Sequence, residues 1–150
     1  MKFDQDAFKS HIRLAMARCR LVHSKVLAAS RAARSSIADL LNADRLDSAR
    51  IKTRLVIRDD YLAEAVEQLE CYLDDLLHGA NIIVHSKTGH CIDETIRPAV
   101  AAVIYAQPRV EVPELALVRD DLVLKFGRDF CNVAVNNTDN VVDGRFCLKL

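Results

Sequence analysis

Two groups of side chains in this sequence have the types and spacing that chemistry would require. The first is His85, His90, Cys91 and Asp93, ligand and nucleophile types gathered within nine positions. Structural zinc takes four ligands, usually from two separate knuckles, and a nucleophilic cysteine needs an orienting base within hydrogen-bond reach. Local spacing supplies neither, so the cluster reads as a polar loop with no metal and no reactive thiol. The second group is Asp60, Glu64, Glu67 and Asp74. An acid/base pair must be forced into a cleft that splits its pKa values. On a helix these acids lie opposite Leu62, Val66, Leu69 and Leu73, which predicts a hydrated face that titrates normally. The sequence holds no GxxxxGK[ST], GxGxxG or HExxH, so phosphate-loop, dinucleotide and zincin mechanisms lack their parts. The expectation is a protein with no catalytic residue, metal or cofactor.

The elements that carry these residues follow from length and periodicity. With 150 residues, half of them apolar, four glycines and three prolines, the chain is one folded domain over 1–150. Its five cysteines are odd in number and scattered, and read as reduced, buried thiols. The longest apolar run, Ala99 to Ala106, is far short of the roughly twenty residues that span a bilayer, and the charged N-terminus is no secretory signal. The expected compartment is the cytosol.

Apolar residues recur at steps of three and four from Phe8 through Ile12, Ala15, Cys19, Val22, Val26, Ala29, Ala33 and Ile37 to Leu40. This predicts one helix about 50 Å long, capped at Asp4 or Asp6. The pattern breaks at Asn42, Ala43 and Asp44. It resumes with Ile51, Leu55, Leu62, Val66, Leu69, Leu73, Leu76, Ala80 and Ile83, one stripe expected to face the first helix. Two long helices joined by so short a break fold back on each other. Shorter helices are predicted at about 93–106, with a kink at Pro98, and at 113–126, 128–135 and 141–150. Pro113 and Gly127 mark the start and stop of the second of these. Val110–Val112 and Val133–Val135 are ambiguous, strand-like patches. The predicted fold class is all-α, a long antiparallel hairpin with shorter C-terminal helices packed along it.

Zero net charge conceals an asymmetry. Residues 1–58 hold 13 Lys/Arg against 5 Asp/Glu, a balance of +8, and residues 59–150 hold 8 against 16, a balance of −8. Lys9, Arg13, Arg20, Arg31 and Arg34 fall in an arc of roughly 60° beside the apolar stripe of the first helix. Exposed helices carry such residues for solubility alone, but the length of the row favours a contact with phosphates or acidic partners. No recognition-helix module or aromatic interleaving supports specific nucleic-acid reading. A basic helical scaffold for nonspecific nucleic-acid binding is the alternative reading, with salt-dependent binding of mixed-sequence RNA as its signature.

Several short segments then carry a family resemblance. Ser48-Ala49-Arg50-Ile51-Lys52, followed by Ile57-Arg58-Asp59-Asp60-Tyr61-Leu62 and by Glu64 to Glu70, resembles the second helix of the increased-sodium-tolerance (IST-one) family. Arg50, Ile51, Ile57, Arg58, Tyr61 and Leu62 are the matching positions. Ala106 to Val110, Val112 to Leu115, Lys125-Phe126-Gly127 with Phe130, and Val142-Asp143 with Leu148-Lys149-Leu150 resemble its later motifs in the same order. The resemblance implies an ESCRT-III-like, noncatalytic assembly protein of multivesicular-body sorting, membrane remodelling and cytokinesis. Such proteins are cytoplasmic and recruited to endosomal membranes, bind other ESCRT-III subunits and regulate the vacuolar-sorting AAA ATPase.

It further implies that the basic edge contacts acidic lipid headgroups or a neighbouring subunit in a homo- or hetero-oligomer. A groove involving Leu115, Phe126, Phe130 and Leu148 is expected to take the C-terminal helix of a charged multivesicular body protein. Two departures qualify the transfer. Family members continue past the position of Leu150 into a tail that binds MIT domains, so indirect ATPase recruitment is expected here. Arg54 stands where the family often has an acid.

Overall fold

In a computed structural model that describes residues 2–87 and 93–150, helix α1 spans Gln5–Asn42. Its start is fixed twice. The Asp4 carboxylate accepts from the backbone N–H groups of Asp6 and Ala7, and Phe3 packs on Phe8 with ring centroids 5.2 Å apart. Together these form a side-chain cap and the hydrophobic staple that sets the entry angle of the chain. The end is a Schellman turn: Arg45 N–H donates to the Leu40 carbonyl and Asp44 N–H to that of Leu41, with Asp44 left-handed at φ 59°. Aspartate tolerates this conformation better than most residues. The chain therefore reverses within three residues into α2, Leu46–His78.

Gly79 ends α2 where the sequence reading continued it, and Ala80–His85 forms a separate short helix, α3. Ala80 and Ile83 remain fully buried as expected. A Cβ at Gly79 would lie 2.4 Å from Ile96 Cδ1, so the break also admits Ile96 into the core. Helix α4, Arg97–Ala106, contains the apolar run and is buried on nearly every side, which explains why that run has no polar face. Pro98 sits in the first turn of α4 and begins the helix rather than kinking it. Helices α5 (Leu115–Phe126), α6 (Arg128–Asn136) and α7 (Gly144–Lys149) complete the chain. Pro113 lies in the turn before α5. Val110–Val112 is loop and Val133–Val135 is part of α6; no strand occurs among the described residues.

The late helices cover one end of the hairpin. Helix α4 packs on α2 and α6, α5 on α1, and α7 on α2. The apolar cluster they share runs along α1 from Phe8 to Val22 and along α2 from Leu62 to Leu77. Toward the turn, α1 and α2 meet through a narrow seam in which Ser30, Ala49, Val56 and Ala63 are buried. Here the predicted stripes need correction. Ser30 is buried and Ala29 exposed, while Ile51 and Leu55 are 61% and 52% exposed. Both lie roughly 100–160° around the helix from Ala49 and Val56, and a two-helix arm buries only one edge of each helix.

Candidate partner-binding surfaces

The basic edge of α1 lies beside the acidic edge of α2. Arg20 Nε donates to Glu70 at 2.6 Å, and Arg34 pairs with Asp60 at 2.5 Å. Buried Ser30 donates its hydroxyl to the same Asp60 carboxylate at 2.7 Å. That hydrogen bond, reinforced by the Arg34 charge, holds Asp60 below the usual carboxylate range. The expectation that this acid titrates normally is thereby corrected. Glu64 is also partnered, with Lys149 of α7 at 3.0 Å, and Asp74 is 3.4 Å from His78. Glu67 alone of the four predicted acids has no basic side chain within salt-bridge distance among the described residues. It borders a seam groove of about 460 Å³ lined also by Met16, Arg20, Glu70, Cys71, Asp74 and Asp75.

The five residues of the basic edge therefore divide. Arg20 and Arg34 are held by acids of α2, whereas Lys9, Arg13 and Arg31 form no ion pair among the described residues. Other basic side chains of α1 and α5 also differ in role. Arg18 donates to Glu114 at 2.8 Å, tying α1 to the start of α5, and this bond keeps Glu114 below its ordinary range. His11 Nδ1 is 2.6 Å from Asp121 on α5. Lys125, buried, donates to the Val84 carbonyl at 2.8 Å and lies over the Phe3 ring. This satisfies one of the carbonyls exposed at the end of α3. Charge alone hid these clamps, because their partners are 41 to 110 positions distant. Ser30 was more accessible to sequence reasoning, since it continues the Val26–Ala33–Ile37 spacing.

The six matching positions of α2 are mostly on the surface. Ile57 and Tyr61 are exposed by 50% and 51%, Ile51 as above, and Arg50 and Arg58 are exposed too; Leu62 is half-buried. Arg50 has only Asp47 nearby, at 3.7 Å. The predicted groove set also divides. Leu115 and Phe126 are core residues, closed off by the late helices themselves, and so present no open docking surface. Phe130 is half-buried against Phe126, with centroids 5.9 Å apart. Leu148 is 88% exposed. On the outside of α5 and α6 a groove of about 320 Å³ runs between Arg119, Asp120 and Val123 on one side and Arg128, Cys131, Asn132 and Val135 on the other.

The other candidate chemistry resolves into local structure. His85 contacts the Asn81 carbonyl within its own helix. Asp93 accepts from the backbone and hydroxyl of Thr95, which caps a turn and lowers its pKa. His90 and Cys91 lie outside the described residues. No group of three potential metal ligands occurs among the described residues. Burial pushes the Cys19 thiol up to about 12 and that of Cys131 to about 11, so both are protonated near neutrality. No described helix is long and apolar enough to cross a membrane.

Comparison with known proteins places this geometry. The family model Ist1, regulator of Vps4 activity in the MVB pathway, matches residues 9–150. An IST1-like protein of Dictyostelium discoideum is 26% identical over 148 residues, 99% of this chain and 39% of that protein. The vacuolar protein sorting-associated protein IST1 of Saccharomyces cerevisiae is 28% identical over 130 residues, 83% of this chain and 44% of that one. The chain thus spans less than half the length of these two relatives. The crystal structure of the S. cerevisiae Ist1 N-terminal domain in complex with the Did2 MIM motif superposes with a TM-score of 0.88 at 26% identity, covering 99% of this chain and 81% of that one. The chain, a long hairpin covered at one end by shorter helices and matched over residues 9–150, belongs to the Ist1 family.

Proposed function

We propose that this chain is a noncatalytic ESCRT-III-like adaptor that captures the C-terminal helix of an ESCRT-III subunit and, through that contact, regulates Vps4-type ATPase action in multivesicular-body sorting. The observation that carries this reading is the close likeness to a domain solved with a Did2 MIM motif. The late-helix surface supports it: Leu148 is exposed, and Phe130 is only half covered. Exposed apolar side chains of this kind suit the apolar face of a short amphipathic helix. Lys9, Arg13 and Arg31 add a second attachment, to acidic lipid headgroups or to an acidic neighbouring subunit. Each cation near an anionic surface contributes about 1 kcal/mol, weak singly and additive in an oligomer. Recruitment to endosomal membranes follows from these contacts.

The test is capture of C-terminal peptides from ESCRT-III subunits on the immobilised chain, with an isolated MIT domain alongside. Peptide capture is expected, with the MIT domain as the comparison, and Leu148→Asp should reduce it at least fivefold. If no subunit peptide is retained, the adaptor reading fails.

A further inference from the structure

The tip half of α2 carries an exposed face that the late-helix contacts do not use. Arg50, Arg54 and Arg58 follow one another at steps of four along it, and all three are exposed. On either side runs a parallel apolar row at the same step, Ile51–Leu55 and Ile57–Tyr61, each side chain half or more exposed. Rows at i±4 are the ridges that interlock when helices pack at about −50°. The face extends about 16 Å along α2, three turns, at 1.5 Å per residue. Beside it lies a notch of about 300 Å³ lined by Leu41, Leu46, Ala49 and Thr53, with Arg50 and Arg54 of the ridge forming its wall. Packing within the chain does not account for four large apolar side chains in this position.

Charge selects the occupant. Between Arg45 and Arg58 the chain has five cations and one acid, Asp47. Lys52 is turned inward onto the Ser36 hydroxyl at 2.6 Å. Arg54 and Arg58 have no ion pair among the described residues, and Arg50 has only the local one to Asp47. Arginine with tyrosine and aliphatic neighbours is the composition of protein interface anchors, because the guanidinium fork pairs with carboxylates in two-pronged geometry while the ring and aliphatic chains exclude water. We infer that this face docks an acidic amphipathic helix of a partner protein. The helix crosses α2 obliquely, sets a row of carboxylates on the arginine ridge and its apolar rows on Ile51–Leu55 and Ile57–Tyr61, and sends one side chain into the notch. The face is separate from Leu148 and the late helices, so this site stands or falls apart from the proposed capture there.

The probe is a fluorescein-labelled fifteen-residue peptide with leucine at helical spacing and glutamate elsewhere, paired with a version in which lysine replaces every glutamate. Fluorescence anisotropy should show saturable, salt-sensitive binding of the glutamate peptide and none of the lysine peptide. The double variant Arg54→Glu/Arg58→Glu should weaken binding at least tenfold and Tyr61→Ala at least fivefold, with unchanged far-UV circular dichroism, while Leu148→Asp leaves it unaltered. Equal binding of the two peptides, or wild-type affinity in the double variant, would overturn the assignment. So would failure of the glutamate peptide to bind while phosphatidylserine vesicles or a second copy of the chain are held by the same arginines.

Discussion

Asp60 shows how much one residue's role depends on its neighbours across the hairpin. Alone on α2 it is one acid of a solvated row; in the fold it accepts from buried Ser30 and pairs with Arg34. Both contacts favour the charged form and depress its pKa, as the Arg18 bond does for Glu114. A carboxylate whose pKa is lower folded than unfolded contributes stability that is complete above the unfolded value of about 4 and is lost as pH falls through the folded value. Thermal melting from pH 7 to pH 2 should therefore show a loss of stability below about pH 4 that is shallower in Asp60→Asn and in Glu114→Gln. An acid limb identical to wild type in both variants would contradict this account. Asp60→Ala should also leave the Ser30 hydroxyl buried without its acceptor, at about 1–3 kcal/mol.

Among the elements, the break between α5 and α6 is set by one backbone conformation. Gly127 closes α5 and opens α6 with φ 89° and ψ 163°, a region available essentially to glycine alone. A Cβ there would meet nothing within 4 Å, so the cost of Gly127→Ala is backbone strain without a clash. The expected loss is about 1–3 kcal/mol of unfolding free energy, read from denaturant melts, with helicity retained. An unchanged midpoint would mean that the α5–α6 junction can adopt another path. Helix α1 presents the opposite case, because its ends rest on redundant local signals. Asp4 with Phe3 and Phe8 at the start of α1, and the Schellman turn at its end, are written in adjacent residues. The Asn42–Asp44 break was legible for that reason. The stripe through Ile51 and Leu55 was misplaced because apolar spacing identifies a helix face without stating whether another helix covers it.

At the scale of the whole molecule, the opposed charges of the two halves have two destinations. Part of the +8 and −8 is spent within the fold, on Arg20–Glu70, Arg34–Asp60 and Arg18–Glu114. Other cations have no acid partner among the described residues: Arg13, Arg31, Arg54 and Arg58, which are exposed, and Lys9, which is half-exposed. Reversal of the two classes should give different phenotypes. The triple change Lys9→Glu, Arg13→Glu and Arg31→Glu should abolish sedimentation with phosphatidylserine vesicles or acidic subunit filaments while shifting the melting midpoint little. The double change Arg20→Glu and Arg34→Glu places like charges beside Glu70 and Asp60 and should lower the midpoint. Identical behaviour of the two sets in both assays would show that paired and unpaired cations are not distinct. The sequence by itself determined the two long helices, the turn between them and the family, because periodicity, caps and motif words are local properties of the chain. Only the tertiary structure decided which arginines are free, which apolar rows are covered and which acids are depressed, because each of those depends on a partner many residues away.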